Sequence, residues 1–249
     1  MARIQLRFCE IYIQDGLSGT GAINQAMTVP MAGDTTMTVD TLVLNTFHTA
    51  SVPIGANFTV AGETASTTVH TVTSVTTAMD VTTIINFTPA LTTGTYADNG
   101  VITFSPQKLT VKIGDGELKY TINTAYLYDL DRGLLDTVRK GDDVPVDVSL
   151  AFTYEHITTG TGEPISPIDA VYNVNGAAGW VTSASDQCEP YAVDLIIVYT
   201  PPCGGSQIET TTFPDFRVEK AEPDFKNASI TISGKAHSLE PIFTRTNQS

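Results

Sequence analysis

Positive charge is scarce in this chain. Its 249 residues include 13 Lys and Arg against 27 Asp and Glu, a formal net charge of -14. No Lys or Arg falls between Arg7 and Lys108, and none between Lys140 and Arg217. Affinity for duplex phosphates comes from clustered cations, so a nucleic-acid groove is not expected. Long apolar runs are missing as well; none approaches the roughly 18–20 residues needed to span a bilayer, so no membrane helix is expected. The opening Met1–Glu10 has basic residues but no apolar stretch and no small-residue cleavage site, which predicts no secretory signal. Cysteine is limited to Cys9, Cys188 and Cys203. If Tyr191–Tyr199 is one extended strand, the last two lie roughly 40–50 Å apart at about 3.3 Å per residue. A disulfide needs about 7 Å, so buried free thiols in a reducing compartment are expected. There is no CxxC, and His48, His70, His156 and His237 are scattered, so no zinc site is expected. A hydrophobic fraction of 41% is enough for one large domain or two small ones.

What is abundant is threonine. Residues 31–104 hold 21 of the 39 threonines, five acids and no Lys or Arg. Branching at Cβ suits the pleated strand. Strands are predicted at Thr38–Leu44, Asn57–Val60, His70–Val75, Val81–Phe87 and Val101–Phe104, with Phe58, Val69, Ile84, Ile85 and Phe87 as apolar anchors. Gly and Pro punctuate them, which suggests a small β-barrel or sandwich.

The remainder, 1–30 with 105–249, is more charged. Ile4, Leu6 and Phe8 alternate with Arg3, Gln5 and Arg7 in an opening strand. Leu109, Val111 and Ile113 alternate with Lys108, Thr110 and Lys112, and Gly114-Asp115-Gly116 predicts a hairpin into Glu117–Ile122. Val144–Glu155 sets Val144, Val146, Val148, Leu150, Phe152 and Tyr154 against Asp147, Ser149, Ala151, Thr153 and Glu155. Tyr191–Tyr199 is apolar on both faces, as a central strand is; Phe216–Ala221 and Ala228–Ser233 complete the strands. Ser166-Pro167-Ile168-Asp169 starts a helix with a hydroxyl cap, an early proline and a carboxylate at the third position. Its inward face is expected to be Ile168, Val171 and Tyr172, with Asn175-Gly176 ending it. The fold class is therefore mainly β: a β-sandwich or barrel core (1–30 and 105–249) with one short flanking helix, and an inserted small Thr-rich β-domain (31–104), placed on the outer surface.

No GxSxG, HExxH, Walker A or strand-borne GxGxxG occurs, so no catalytic residue, cofactor or metal is expected and the chain reads as a non-enzyme. Asn57, Asn86 and Asn227 match the N-glycosylation pattern, which carries no meaning without secretion. Trp180 reads as core or interface packing, with a sugar-stacking platform as the alternative. The densest charge lies in Asp129, Asp131, Arg132, Asp136, Arg139, Lys140, Asp142 and Asp143. Gly133 stands at the wrong place for an EF-hand, and no Glu closes the loop. Interleaved acids and bases suit salt bridges along a strand pair or between subunits.

The stretch Lys108–Leu118, the run Tyr128-Asp-Leu-Asp-Arg-Gly-Leu-Leu-Asp-Thr-Val-Arg-Lys-Gly-Asp-Asp-Val-Pro and then Pro164-Ile-Ser-Pro-Ile-Asp-Ala resemble the major tail tube protein of long-tailed bacteriophages. The likeness covers 1–26 and 105–249; the 31–104 block resembles Thr-rich β-modules of phage structural proteins. The resemblance implies a virion protein of the tail, assembled in the host cytoplasm. It implies homo-hexameric rings stacked head-to-tail, contacts with other tail proteins, and DNA passing through the lumen without specific binding. The Asp129–Asp143 cluster then becomes the inter-subunit contact. Asp147 and Glu155 become lumen-facing acids that repel phosphate. Two other classes stay open: a β-sandwich adhesin or carbohydrate-binding module, and a cation-dependent hydrolase built on the acidic cluster.

Overall fold

A computed structural model describes residues 8–24, 30–44, 52, 54–63, 68–77, 83–92, 96, 99–112, 117–131, 134–153, 164–184, 186, 188–201 and 207–247. The alternating Thr, Val and Ile pattern produces a mainly β chain. Its strands are β1 Cys9–Gln14, β2 Gly19–Ile23, β3 Thr36–Leu44, β4 Asn57–Val60, β5 His70–Thr77, β6 Thr83–Thr88, β7 Val101–Ser105 and β8 Lys108–Val111. They continue with β9 Leu118–Thr121, β10 Tyr126–Asp131, β11 Leu134–Lys140, β12 Val146–Thr153, β13 Val193–Tyr199, β14 Gln207–Asp224, β15 Ser229–Ala236 and β16 Ile242–Asn247. The helix α1, Pro167–Tyr172, lies between β12 and β13. The chain divides into two units, one of Met1–Ile13, Thr110–Glu155 and Ala192–Ser249, the other of Gln14–Leu109 and His156–Tyr191.

The first unit is organised by a sheet in the order β8-β1-β13-β14-β15-β12-β9, with β16 beside β14. Strand β12 buries Val146, Val148, Leu150 and Phe152 and leaves the residues between them half-buried, the alternation expected for this stretch. Its register sets Leu150 beside Ile232 and Phe152 beside Ile230 of β15. Each such side chain contributes roughly 1.5–3 kcal/mol when fully buried. Strand β13 is central, as its apolar run predicts. The sheet curls around this apolar face, since the Tyr120 ring of β9 meets Phe213 of β14 at 5.2 Å. Strand β14 is bent at Pro214-Asp215, where Asp215 takes φ 48° and its N–H donates to Asp194 at 3.0 Å. Just before a bulge at Val218/Lys220, the backbones of β14 and β15 come so close that a Cβ on Gly234 would lie 2.0 Å from the Arg217 carbonyl oxygen.

One expectation for this unit changes and another falls partly outside the described residues. The opening strand begins at Cys9, with Ile11 and Ile13 inward; residues 1–7, where it was expected to start, lie outside the described set. The Gly114–Gly116 turn lies outside it too. The strands flanking that turn are not a hairpin pair: β8 and β9 stand at opposite ends of the sheet order. The edge of β12 explains this, because Ala151 N–H donates to the Glu117 carbonyl and Thr153 N–H to that of Lys112, both at 2.8 Å. Strand β16 had no sequence signal, since all six residues are exposed and no alternation marks it.

The second unit contains a closed barrel, β2-β3-β6-β5-β4-β7. Its core includes Phe58, Phe87, Phe104, Met37, Ile85 and Ile102. Of the expected anchors, Phe58, Ile85 and Phe87 are buried, Ile84 is half-buried, and Val69 is 50% exposed. The barrel starts at Gly19, ahead of residue 31, because β2 pairs with both β3 and β7. Five strands alone leave two unpaired edges, and the sixth closes them. Asp15 clamps the barrel's entry: its carboxylate accepts from Gln107 N–H at 2.7 Å, and its own N–H donates to the Gln107 carbonyl at 3.1 Å. The same carboxylate accepts from Val181 N–H at 3.3 Å.

The helix α1 belongs to this unit and begins as predicted. Ser166 and Asp169 form a reciprocal capping box, with Pro167 in the first turn. It ends at Asn173 in the left-handed conformation, two residues before the expected Asn175. Only Val171 of the expected inward face is buried; Tyr172 is exposed, because six residues are too short for a full stripe. Trp180 is 5% exposed, so its ring packs inside and offers no sugar platform. Cys188 is exposed rather than buried, and Cys9 is half-buried. Cys203 lies outside the described residues.

Candidate functional site

The Asp129–Asp143 cluster lies on a two-stranded ribbon. Strands β10 and β11 pair only with each other among the described residues. Gly141 N–H donates to the Ala125 carbonyl at 2.9 Å and closes the base. Tyr126 stands opposite Lys140 and Tyr128 opposite Val138, while Leu127 opposes Arg139 and Asp129 opposes Thr137. Directly opposed residues share a face, so the ribbon has two unlike sides.

One side is mostly apolar and open to solvent: Tyr126, Tyr128, Leu130 and Val138 are 54%, 62%, 66% and 49% exposed, with Lys140 opposite Tyr126 at its base. The Tyr126 and Tyr128 rings lie side by side, centroids 6.5 Å apart. The other side carries the Asp129–Arg139 charges, together with Leu127, 59% exposed. Arg139 reaches Asp129 at 3.1 Å, and the Thr137 hydroxyl donates to the same carboxylate at 3.1 Å. Lys140 pairs with Asp143 at 2.5 Å beyond the ribbon base, and Asp142 is exposed. Arg132 lies outside the described residues, as do the side chains of Asp131 and Asp136.

An isolated two-stranded ribbon is marginal in water. This one adds four adjacent exposed apolar side chains, a composition that marks contact surfaces when it is contiguous. Tyrosine is enriched at such surfaces because it combines area with a polar tip. Sequence reasoning found the charges and missed the apolar side. Tyr126, Tyr128 and Leu130 alternate with Leu127, Asp129 and Asp131, and that alternation is the signal that could have shown it.

Asp147 sits on the outward face of β12, half-buried, where the Asn123 amide donates to it at 2.8 Å. Its row across the sheet reads Thr121, Asp147, Lys235, Arg217. The next row is Lys119, Ser149, Ser233, Lys220. Lys119 pairs with Glu117 at 2.8 Å, and Lys220 with Glu222 at 2.7 Å. The inner pair is thus Asp147 and Lys235 in one row and Ser149 and Ser233 in the next, and the face around Asp147 carries both signs of charge. Glu155 lies outside the described residues. No group of three His, Cys, Asp or Glu able to hold a metal gathers among the described residues.

Searched against protein-family models, curated proteins and solved structures, the chain finds no match.

Proposed function

We propose that this chain is a structural virion protein that polymerises, as stacked hexameric rings, into the tail tube of a long-tailed bacteriophage. The observation that carries the proposal is the ribbon β10–β11. It projects an apolar face that its own chain leaves in solvent, and in this reading a second copy covers it. Head-to-tail contacts of that kind generate rings and open filaments. The mainly β chain and the sequence resemblance support the same reading. The polar side of the ribbon, with Asp129 and Arg139, then sets the register between copies.

In this reading DNA passes through the bore without specific binding. The face of β12 that carries Asp147 lines the bore, with Lys235 beside Asp147 and Ser149 beside Ser233 in the next row. Asp147 repels phosphate, and Lys119, Lys220 and Lys235 lie beside Glu117, Glu222 and Glu219. Negative-stain electron microscopy of the purified protein tests the assembly: rings or tubes are expected. A chain that stays monomeric by sedimentation at tens of micromolar overturns the proposal.

A further inference from the structure

The second unit holds a buried, hydrogen-bonded pair outside the ribbon. His70 opens β5 and is fully buried; Glu63, in the turn after β4, is 5% exposed. His70 Nδ1 lies 2.8 Å from the Pro89 carbonyl oxygen, and Nε2 lies 2.9 Å from Glu63 Oε2. The other carboxylate oxygen of Glu63 accepts from the Thr92 N–H and hydroxyl, each at 3.0 Å, and from the Tyr96 hydroxyl at 3.3 Å. Phe58 stacks on the imidazole at 5.3 Å, and Phe87 meets it edge-on at 5.2 Å.

The donors and acceptors fix the ring's orientation. A carbonyl oxygen only accepts, so Nδ1 carries a hydrogen toward Pro89. The Thr92 and Tyr96 donors all reach Oε1, which leaves Oε2 to Nε2 alone. Burial pushes the Glu63 carboxyl up, but the hydrogen bonds from His70 and from Thr92 outweigh it and hold the group below its ordinary range. Glu63, Thr92, Tyr96 and the Pro89 carbonyl are the polar groups that face the pair, and Phe58 and Phe87 pack against the ring.

We infer that the buried His70–Glu63 pair is a latch that fastens Pro89, Thr92 and Tyr96 onto the turn after β4. One end of the barrel is then closed by a polar network and not by apolar packing alone. The inference is independent of the assembly reading, because every group lies inside the second unit.

Amide exchange tests the latch. In Glu63→Gln the Thr92 amide is expected to exchange at least tenfold faster, while β6 and β7 amides change little. Uniform acceleration of all barrel amides, or none at Thr92, overturns the latch. If Glu63→Gln does not fold, the unaltered chain answers: with a latch, Thr92 is protected at pH 6 to a degree approaching the barrel strands, and an unprotected Thr92 overturns it.

Discussion

Arg139 crosses the ribbon to Asp129, 3.1 Å from guanidinium nitrogen to carboxylate oxygen, on the side opposite Tyr128 and Val138. That one pair separates a charged side from an apolar one in a segment the sequence presents as a mixed run. The separation assigns different tasks to the two sides, and each can be tested alone.

The apolar side comes first. Tyr128→Asp with Leu130→Asp changes two exposed residues, so monomer stability should move by no more than about 0.5 kcal/mol for each. Assembly should be lost, because the buried contact would have to desolvate two carboxylates. Thermal melting and electron microscopy of the same preparation separate the outcomes. Normal tubes from this variant would remove the ribbon from the contact.

On the charged side, Arg139→Ala removes an exposed pair worth about 0.2–1 kcal/mol in the monomer. In an interface that excludes water, a carboxylate left alone costs several kcal/mol, on the order of 3–5. Arg139→Ala and Arg132→Ala should therefore raise the concentration needed for assembly while leaving the monomer's urea midpoint nearly unchanged. Exchanging the charges, Asp129→Arg with Arg139→Asp, should recover part of the loss if the pair acts as a unit.

The barrel can be removed only at the right points. Deleting 31–104 leaves β2 without either of its neighbours and should give an insoluble chain. Asp15 and Gln107 already hydrogen-bond to each other. Deleting 17–105 and bridging Gly16 to Pro106 with a few glycines should keep that clamp and yield soluble protein. Solubility that comes out the other way round would show that the barrel starts after residue 31.

Gly234→Ala tests the β14–β15 approach. The added methyl would meet backbone, not a movable side chain, so a loss of about 1–3 kcal/mol is expected by urea denaturation. A neutral outcome would mean that the two strands separate more easily than the bulge geometry implies.

Acid should weaken the barrel through Glu63. Its carboxyl is held below the ordinary range in the folded state. A depressed value contributes stability that is present above the unfolded value, about 4.3, and is lost as pH falls through the folded one. Urea midpoints of the whole chain between pH 6 and pH 3 should therefore drop less in Glu63→Gln than in the unaltered chain.

Local pattern was enough for much of this protein. Alternation along Val146–Phe152 decided which side chains go inward, because successive side chains point to opposite sides of a strand wherever that strand is placed. The Ser166–Asp169 cap was equally local, since its donors and acceptors lie within four residues. The six-stranded closure of the barrel, by contrast, needed β2, whose Gly-Thr-Gly-Ala-Ile reads as weak strand and gains its place only from two distant partners. The unpairing of β8 from β9 against a strong turn signal was decided by β12, which offers its N–H groups to both flanks. Glu63 and His70 lie seven residues apart, but their network is completed by Pro89, Thr92 and Tyr96 from another connection, and the open face of Tyr126, Tyr128 and Leu130 is defined by what fails to cover it. Sequence by itself determined the periodicity and the caps, which are near-neighbour physics. Only the tertiary structure decided strand order, closure and exposure, because these depend on which distant backbone groups and surfaces meet.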